Sequence, residues 1–174
     1  MLTVVGTAPQ VSPSSQSVVM LDPHSENEST VPEEALLLDQ LGRTFIPSLL
    51  VIRVGQPLLI RNSENDLHNV RVIEAATGEM TLNIGMLLGS TYVHTFDRSG
   101  TYTVQCDIHT SMFADVVATT SPYSTITDRE GNFTLFGVPA GDYTVTVLFG
   151  GTTIERVVKI TDAATPLVLH KMAP

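Results

Sequence analysis

Residues 96–112 read FDRSGTYTVQCDIHTSM, and they indicate more about this 174-residue chain than any other stretch. The letters describe a strand, a four-residue turn and a second strand that ends at Cys106, the only cysteine. His109 and Met112 follow Cys106 at successive intervals of three residues, so one tight loop can aim all three side chains at a common point. His68 stands at the end of an earlier strand, and a β-sandwich can bring it beside this loop.

Two imidazoles, one thiolate and one thioether are the ligand set of a mononuclear type 1 (blue) copper site. The thiolate and the thioether favour Cu(I), whereas the imidazoles suit Cu(II), so a fixed site of this kind passes one electron with little rearrangement. A single cysteine is more often a small buried apolar residue, and methionine mostly fills cores. The prediction of a copper site therefore depends on the joint placement of the four residues.

These residues and their flanks closely resemble the cupredoxin family, which includes plastocyanin and amicyanin. The family pattern places a His-Asn-Val triplet upstream of F-x-x-x-G-x-Y-x-x-x-C-x-x-H and a methionine, and the resemblance covers residues 33–120. The short ligand loop is similar to that of amicyanin. The resemblance implies a Greek-key cupredoxin β-sandwich with one type 1 copper. It also implies that His68, Cys106 and His109 are the trigonal ligands and that Met112 is the weak axial ligand. Asn69 matches the family position that holds the ligand loop in place by hydrogen bonds.

Two residues of the ligand loop depart from the family pattern. Asp107 follows the cysteine, and Ile108 replaces the proline that often precedes the second histidine. An extra carboxylate near copper favours Cu(II), so we expect Asp107→Asn to raise the reduction potential. Voltammetry would measure the shift, and an unchanged potential would contradict the expectation. Asn69 has a plainer interpretation as an ordinary turn residue.

Short β runs with turn signals between them recur along the chain, which predicts an all-β protein. The cupredoxin domain is placed at residues 31–120. Residues 121–174 are too few for an independent core, so strands in residues 1–22 are predicted to complete a discontinuous second β-sandwich, with residues 23–30 as an acidic loop. The alternative is that the N-terminal strands belong to the copper domain. The predicted strands are residues 2–6, 17–21, 49–54, 58–61, 69–74, 91–96, 101–105, 113–119, 124–127, 132–135, 143–149, 152–160 and 167–170.

Residues 127–143, which read TDREGNFTLFGVPAGDY, resemble a carboxypeptidase-regulatory-like domain. That resemblance implies a small transthyretin-like β-sandwich without chemistry of its own. The pairing with a cupredoxin domain is similar to bacterial methylamine-utilisation-like and plastocyanin-like proteins, and such modules are usually exported. The first residues do not form a signal peptide, so either the protein is cytosolic or a leader was removed before Met1. Because of the resemblance we expect the second, and therefore a periplasmic or extracellular protein. No apolar run is long enough to predict a transmembrane helix.

The formal net charge of −9 argues against nucleic acid and against an anionic membrane surface, because both need a basic face. It favours a basic redox partner, either cytochrome-like or a copper or quinone enzyme. Met80 and Met86 are an alternative pair of ligands for a second Cu(I) ion, and His94 is expected to face the interior. Five apolar residues are predicted either to form a docking patch for the partner or to lie in the core, namely Leu67, Met86, Leu87, Leu88 and Ile108.

The predicted function is that of a one-electron carrier between redox partners, and not that of an enzyme. The sequence shows no second histidine-rich copper cluster, no Ser-His-Asp set and no P-loop. Two alternatives stay open at this point. The same ligands would serve a copper-binding or copper-delivery protein, which would release copper rapidly on reduction. A structural or adhesion β-sandwich with a vestigial site would bind copper weakly and fold equally well without it.

Overall fold

The computed structural model describes residues 1–12, 15–25, 29–161 and 166–169. Within these ranges the chain forms sixteen β-strands and no helix, which confirms the predicted all-β fold class. None of the described elements is a helix able to cross a membrane. The strands, in chain order, are β1 Leu2–Thr7, β2 Val18–Pro23, β3 Leu36–Gln40, β4 Phe45–Ile46, β5 Leu49–Arg53, β6 Pro57–Asn62, β7 His68–Glu74, β8 Met80–Met86, β9 Thr91–Thr95, β10 Gly100–Gln105, β11 Phe113–Thr119, β12 Tyr123–Ile126, β13 Asn132–Val138, β14 Gly141–Phe149, β15 Thr152–Ile160 and β16 Leu167–Val168.

The strands group into two compact units. The central unit is Thr30–Thr120, and the discontinuous unit combines Met1–Ser29 with Ser121–Pro174. Each unit has its own cluster of buried apolar side chains. Part of the expected acidic loop, residues 26–28, and His170 at the end of the last predicted strand lie outside the described residues.

The central unit contains two sheets, one ordered β5-β11-β10-β7-β8 and the other β4-β3-β6-β9. Strands β5 and β11 run parallel, as do β3 and β6, and the other pairs are antiparallel. Burial alternates along β6, β7 and β10, as expected for strands that turn one face toward a core. The most deeply buried of these inward residues are Leu58, Ile60, Val70, Val72, Tyr102 and Val104.

The register of the larger sheet brings several strand ends to one edge. His68, the first residue of β7, pairs with Met86 at the end of β8. Gln105, the last residue of β10, pairs with Phe113, the first residue of β11. The loop between β10 and β11 therefore emerges at the same edge of the sheet at which β7 begins.

The discontinuous unit also contains two sheets, ordered β13-β1-β16 and β12-β2-β14-β15. Both N-terminal strands pair with strands from the C-terminal segment: Val4 lies opposite Leu135, and Leu21 lies opposite Tyr123. The central unit is thus inserted between β2 and β12, which are antiparallel neighbours in one sheet.

Three strands of the central unit were not among those predicted. Strand β3 begins with Leu36-Leu37-Leu38, a run without the period of two that identifies a half-buried strand. Strand β4 has only two residues. Strand β8 ends in the run Gly85-Met86-Leu87-Leu88-Gly89, whose flanking glycines are typical of a loop, yet Gly85 is paired with Asn69 within the sheet.

Candidate metal centre

Three of the four predicted ligand residues bring their donor atoms together at the strand edge described above. Cys106 Sγ lies 3.9 Å from His68 Nδ1 and 3.8 Å from His109 Nδ1. The two Nδ1 atoms are 3.1 Å apart. Such separations suit one first-row metal ion, whose bonds to nitrogen and sulfur are about 2.0–2.3 Å long. Among the described residues, this trio is the one cluster of three or more histidine, cysteine and carboxylate donors within such reach.

The loop between β10 and β11 holds its side chains through its own backbone. The Cys106 N–H donates to the Met112 carbonyl at 3.1 Å, and the Met112 N–H donates to the His109 carbonyl at 2.9 Å. These two bonds close the seven residues into a tight turn. The loop therefore presents Cys106 and His109 on one side, as the C-x2-H spacing predicts.

The centre is enclosed by protein. His68 is fully buried, Cys106 is 3% exposed, and the side chain of His109 keeps 16% of its surface accessible. Met112 is 1% exposed and belongs to the same buried apolar cluster as Cys106. Met112 ends the loop, and its carbonyl accepts a hydrogen bond from the Cys106 N–H. This position suits the axial role that the resemblance implies.

Asn69 ties the ligand loop to the sheet. Its side-chain oxygen accepts a hydrogen bond from the Asp107 N–H at 2.6 Å, and its amide nitrogen donates to Asp107 Oδ2 at 2.9 Å. The same nitrogen donates to Asn83 Oδ1 on β8 at 3.1 Å. Asp107 is also paired with Arg71, at 3.1 Å. The residue after the cysteine is therefore held by two side chains of β7, Asn69 and Arg71.

Two carboxylates that sequence reasoning did not single out face the outer nitrogens of the histidines. Glu64 Oε2 lies 3.2 Å from His68 Nε2, and Asp66 Oδ2 lies 3.5 Å from His109 Nε2. A carboxylate on the second ring nitrogen fixes the tautomer and the orientation of a metal-binding histidine. Each imidazole therefore has its Nδ1 atom directed at the cluster and its Nε2 atom directed at an acid.

Arg43, in the turn between β3 and β4, contacts both acids and lowers the pKa of each. The hydrogen bond from its backbone N–H, 2.8 Å long, holds the pKa of Glu64 below its ordinary value. Its guanidinium, 3.0 Å from Asp66 Oδ2, holds the pKa of Asp66 below its ordinary value. Both groups therefore carry negative charge at neutral pH.

Asn62 shapes the short segment that carries these acids. Its fully buried amide donates to the carbonyls of Asp66 and Met86, at 2.9 Å in both cases, and its oxygen accepts the Glu64 N–H. One side chain thus fixes the path of the chain before His68. Asn62, Glu64 and Asp66 all lie within the six residues before His68 in the sequence, but contact between them depends on the fold.

Four of the five residues predicted to form the docking patch are exposed, and the prediction is wrong for one. Met86 is 2% exposed and lies in the core, because its place at the end of β8 turns it inward opposite His68. The other four are exposed over roughly half or more of their surface, and Leu67 lines a shallow depression with Leu87 and Leu88. The four exposed residues are Leu67, Leu87, Leu88 and Ile108.

The remaining candidate residues do not join the centre. Met80 and Met86 stand at opposite ends of β8, about 20 Å apart at the usual rise of a strand, so they do not bind one ion together. The ring of His94 packs edge-on against Phe96 with centroids 4.7 Å apart. Burial lowers the pKa of His94, which fits a neutral structural histidine.

Comparison with known proteins gives matches only among solved structures. No protein-family model matches the chain, and no curated protein does. Amicyanin from Paracoccus versutus is 21% identical with a TM-score of 0.45, over 57% of this chain and 98% of that chain. A purple cupredoxin from Nitrosopumilus maritimus is 20% identical with a TM-score of 0.42, over 49% and 98%.

A third similar structure is the copper-containing nitrite reductase from Thermus scotoductus, which is 21% identical with a TM-score of 0.46. The match covers 56% of this chain and 25% of that chain. Since all three TM-scores lie below 0.5, the function of this chain has to be argued from its own site.

Proposed function

We propose that the central unit is a cupredoxin domain that binds one type 1 copper ion and carries single electrons between redox partners. The observation that carries this proposal is the buried cluster of His68 Nδ1, His109 Nδ1 and Cys106 Sγ, all within 4.8 Å of one another. Two imidazoles and one thiolate, with a methionine as weak axial ligand, are typical of blue-copper sites. When bound, copper supplies the change between Cu(II) and Cu(I).

The protein's contribution is a fixed set of ligands. Cys106 would bind as the thiolate, with His68 and His109 as the other trigonal ligands and Met112 as the weak axial ligand. The backbone bonds of the ligand loop and the two bonds between Asn69 and Asp107 oppose any rearrangement of these side chains. Because an electron carrier is faster when its ligands move little, this rigidity supports the carrier function over chemistry at an open coordination position.

The exposed apolar residues Leu67, Leu87, Leu88 and Ile108 support the next part of the proposal, that a redox partner docks at this end of the unit. Leu67 follows Asp66 and Ile108 precedes His109 in the chain, so the patch flanks the ligand with the greatest exposure. With a net charge of −9, the chain suits a partner that presents a basic surface. A periplasmic or extracellular location belongs to the same proposal.

For the discontinuous unit we propose a carboxypeptidase-regulatory-like, transthyretin-like β-sandwich made of residues 1–22 and 121–174. The pairing of β1 with β13 and of β2 with β12 and β14 supports this assignment. Residues 31–120 are the proposed cupredoxin domain, and the compact central unit Thr30–Thr120 supports this assignment. No catalytic role is proposed for either unit.

The test is addition of one equivalent of Cu(II) to the metal-free protein, followed by visible absorption and voltammetry, with Cys106→Ala as the control variant. We expect an intense thiolate-to-copper charge-transfer band that the variant lacks, and a reversible one-electron wave. Weak d–d absorption that is equal in both proteins would show that Cys106 is not a ligand and would overturn the proposal. Rapid loss of copper on reduction would instead favour copper delivery.

A further inference from the structure

Arg43 occupies an unusual backbone position. Residues 41–44 form a two-residue hairpin turn between β3 and β4, closed by the N–H of Leu41 to the carbonyl of Thr44 at 3.1 Å and the reverse bond at 3.4 Å. The two central residues, Gly42 and Arg43, have φ of 66° and 55°. Arg43 is the single non-glycine residue with positive φ in the described part of the chain.

The left-handed backbone of Arg43 lowers folding stability by more than its exposed ion pair with Asp66 restores. Turns with two positive φ values favour glycine at the second central position, where Arg43 stands. A left-handed backbone costs a side-chain-bearing residue about 1–2 kcal/mol. The ion pair of Arg43 with Asp66 is solvent-exposed, and such pairs contribute about 0–1 kcal/mol to stability. Folding stability is therefore a weak reason for an arginine at this place.

The contacts of Arg43 suggest a different reason. Its backbone N–H donates to Glu64 Oε2, the atom that faces His68 Nε2. Its guanidinium donates to Asp66 Oδ2, the atom that faces His109 Nε2. One turn residue thus contacts both carboxylates that stand behind the two histidines.

We propose that Arg43 is a positioning residue that sets the reduction potential of the centre, acting on His68 through Glu64 and on His109 through Asp66. This inference rests on the proposed copper function. Asp66 Oδ2 contacts both the Arg43 guanidinium and the His109 ring, so the positive charge of Arg43 offsets the negative charge of Asp66. Without it, the full anion would bear on the imidazole and favour the more highly charged Cu(II) state.

The proposal predicts opposite shifts for the two members of the pair. In the copper-loaded full chain, Arg43→Gln lowers the reduction potential, because an uncompensated carboxylate remains behind His109. Asp66→Asn raises the potential, and the double variant returns toward the wild-type value. The matched control is Arg98→Gln, which removes an exposed guanidinium paired with Glu79 at 2.8 Å elsewhere in the same unit. It is expected to leave the potential nearly unchanged.

Two further variants separate the side chain from the backbone. Arg43→Gly keeps the N–H that bonds Glu64 and accepts the positive φ, so it is expected to match the potential shift of Arg43→Gln with higher thermal stability. Arg43→Lys retains the charge and is expected to recover most of the wild-type potential. Equal shifts for Arg43→Gln and Arg98→Gln, or shifts of the same sign for Arg43→Gln and Asp66→Asn, would overturn the proposal.

A metal-free measurement makes failure of this inference distinguishable from failure of the copper function. Proton–nitrogen NMR of the imidazoles reports the surroundings of His109 Nε2, which lies 3.5 Å from Asp66 Oδ2. We expect its proton resonance to move upfield in Asp66→Asn, to change in Arg43→Gln and to stay in place in Arg98→Gln. An unaltered resonance in Arg43→Gln would refute the positioning role whether or not the protein binds copper.

Discussion

Gln40, the last residue of β3, is a fully buried amide whose side-chain oxygen and nitrogen have no hydrogen-bond partner among the described residues. Its backbone is paired, since its N–H donates to Asp39 and its carbonyl accepts from Ser63. A buried polar group without a partner costs about 1–3 kcal/mol. We expect Gln40→Leu to raise the free energy of unfolding by about 1 kcal/mol or more, as measured by urea unfolding of the metal-free protein.

Gln56 provides the matched control for that substitution. It is also buried, but its nitrogen donates to the Glu34 carbonyl at 2.9 Å and its oxygen accepts the Arg53 N–H at 3.3 Å. Gln56→Leu is therefore expected to lower the free energy of unfolding. If both variants lower it alike, Gln40 is satisfied in solution and the prediction is wrong.

Asp39 predicts a dependence of stability on pH. Burial alone would raise the pKa of this carboxyl, but hydrogen bonds from Arg61 and Ser63 outweigh it and leave the pKa below its ordinary value. A carboxyl whose pKa is lower in the folded state stabilises the protein above its unfolded pKa, near about 3.9, and loses that contribution as pH falls through the folded pKa.

The corresponding experiment compares wild type with Asp39→Asn by urea unfolding from pH 7 to pH 3. Wild type should be the more stable protein at neutral pH, and the difference should shrink below about pH 4. A difference that is constant over the whole range would show that the charge of Asp39 does not stabilise the fold.

For individual residues, the sequence predicted the candidate metal ligands but not the carboxylates that face the outer nitrogens of the two histidines. The spacing from Cys106 to Met112 lies within one loop, so local geometry limits where those side chains point. The roles of Glu64 and Asp66 depend on which ring nitrogen faces the cluster, and that is decided by packing. Arg43 lies in a different turn, and no local pattern connects it with His109.

Strand β1 shows how closely one element of the discontinuous unit fits its neighbours. Gly6 is paired with Phe133 on one side and with Leu167 on the other. A Cβ atom at Gly6 would lie 2.2 Å from the Leu167 carbonyl oxygen and 2.6 Å from the ring of Phe133. Gly6→Ala is therefore expected to destabilise this unit by about 1–3 kcal/mol or more, as seen by thermal unfolding.

Gly85 in β8 is the control for that change. It also lies within a strand, but an added Cβ atom would meet nothing within 4 Å. Gly85→Ala should leave stability unchanged or raise it slightly, because alanine has less backbone freedom to lose on folding. Similar losses for both variants would mean that strand glycines matter here for a reason other than steric fit.

Among the elements, strands with clear alternation were predicted well and the others were not. Tyr102 and Val104 of β10 face inward between polar neighbours, and the predicted limits of that strand differ from the observed ones by a single residue. In β3 the three consecutive leucines hide the alternation, although burial in the structure still differs between Leu37 and Leu38. Which strands pair with each other depends on contacts between residues far apart in the sequence, so local patterns do not predict it.

In the molecule as a whole, the central unit is expected to fold without the rest of the chain. Its buried cluster of seventeen residues is distinct from that of the discontinuous unit. A unit of about 90 residues with one core is within the usual size of a domain. We expect residues 30–120 expressed alone to unfold in one cooperative transition and to show the same absorption with Cu(II) as the full chain. Loss of either property would show that the fold of this unit requires the rest of the chain.

The insertion of the central unit between β2 and β12 also affects how the chain folds during synthesis. Strand β2 leaves the ribosome about 100 residues before its neighbour β12, a delay of about 5–20 s at usual elongation rates. By the end of that interval all strands of the central unit have been made, whereas β1 and β2 are still without partners. The central unit is therefore expected to fold before the discontinuous unit. Until then the unpaired strands β1 and β2 are the segments most in need of protection by a chaperone.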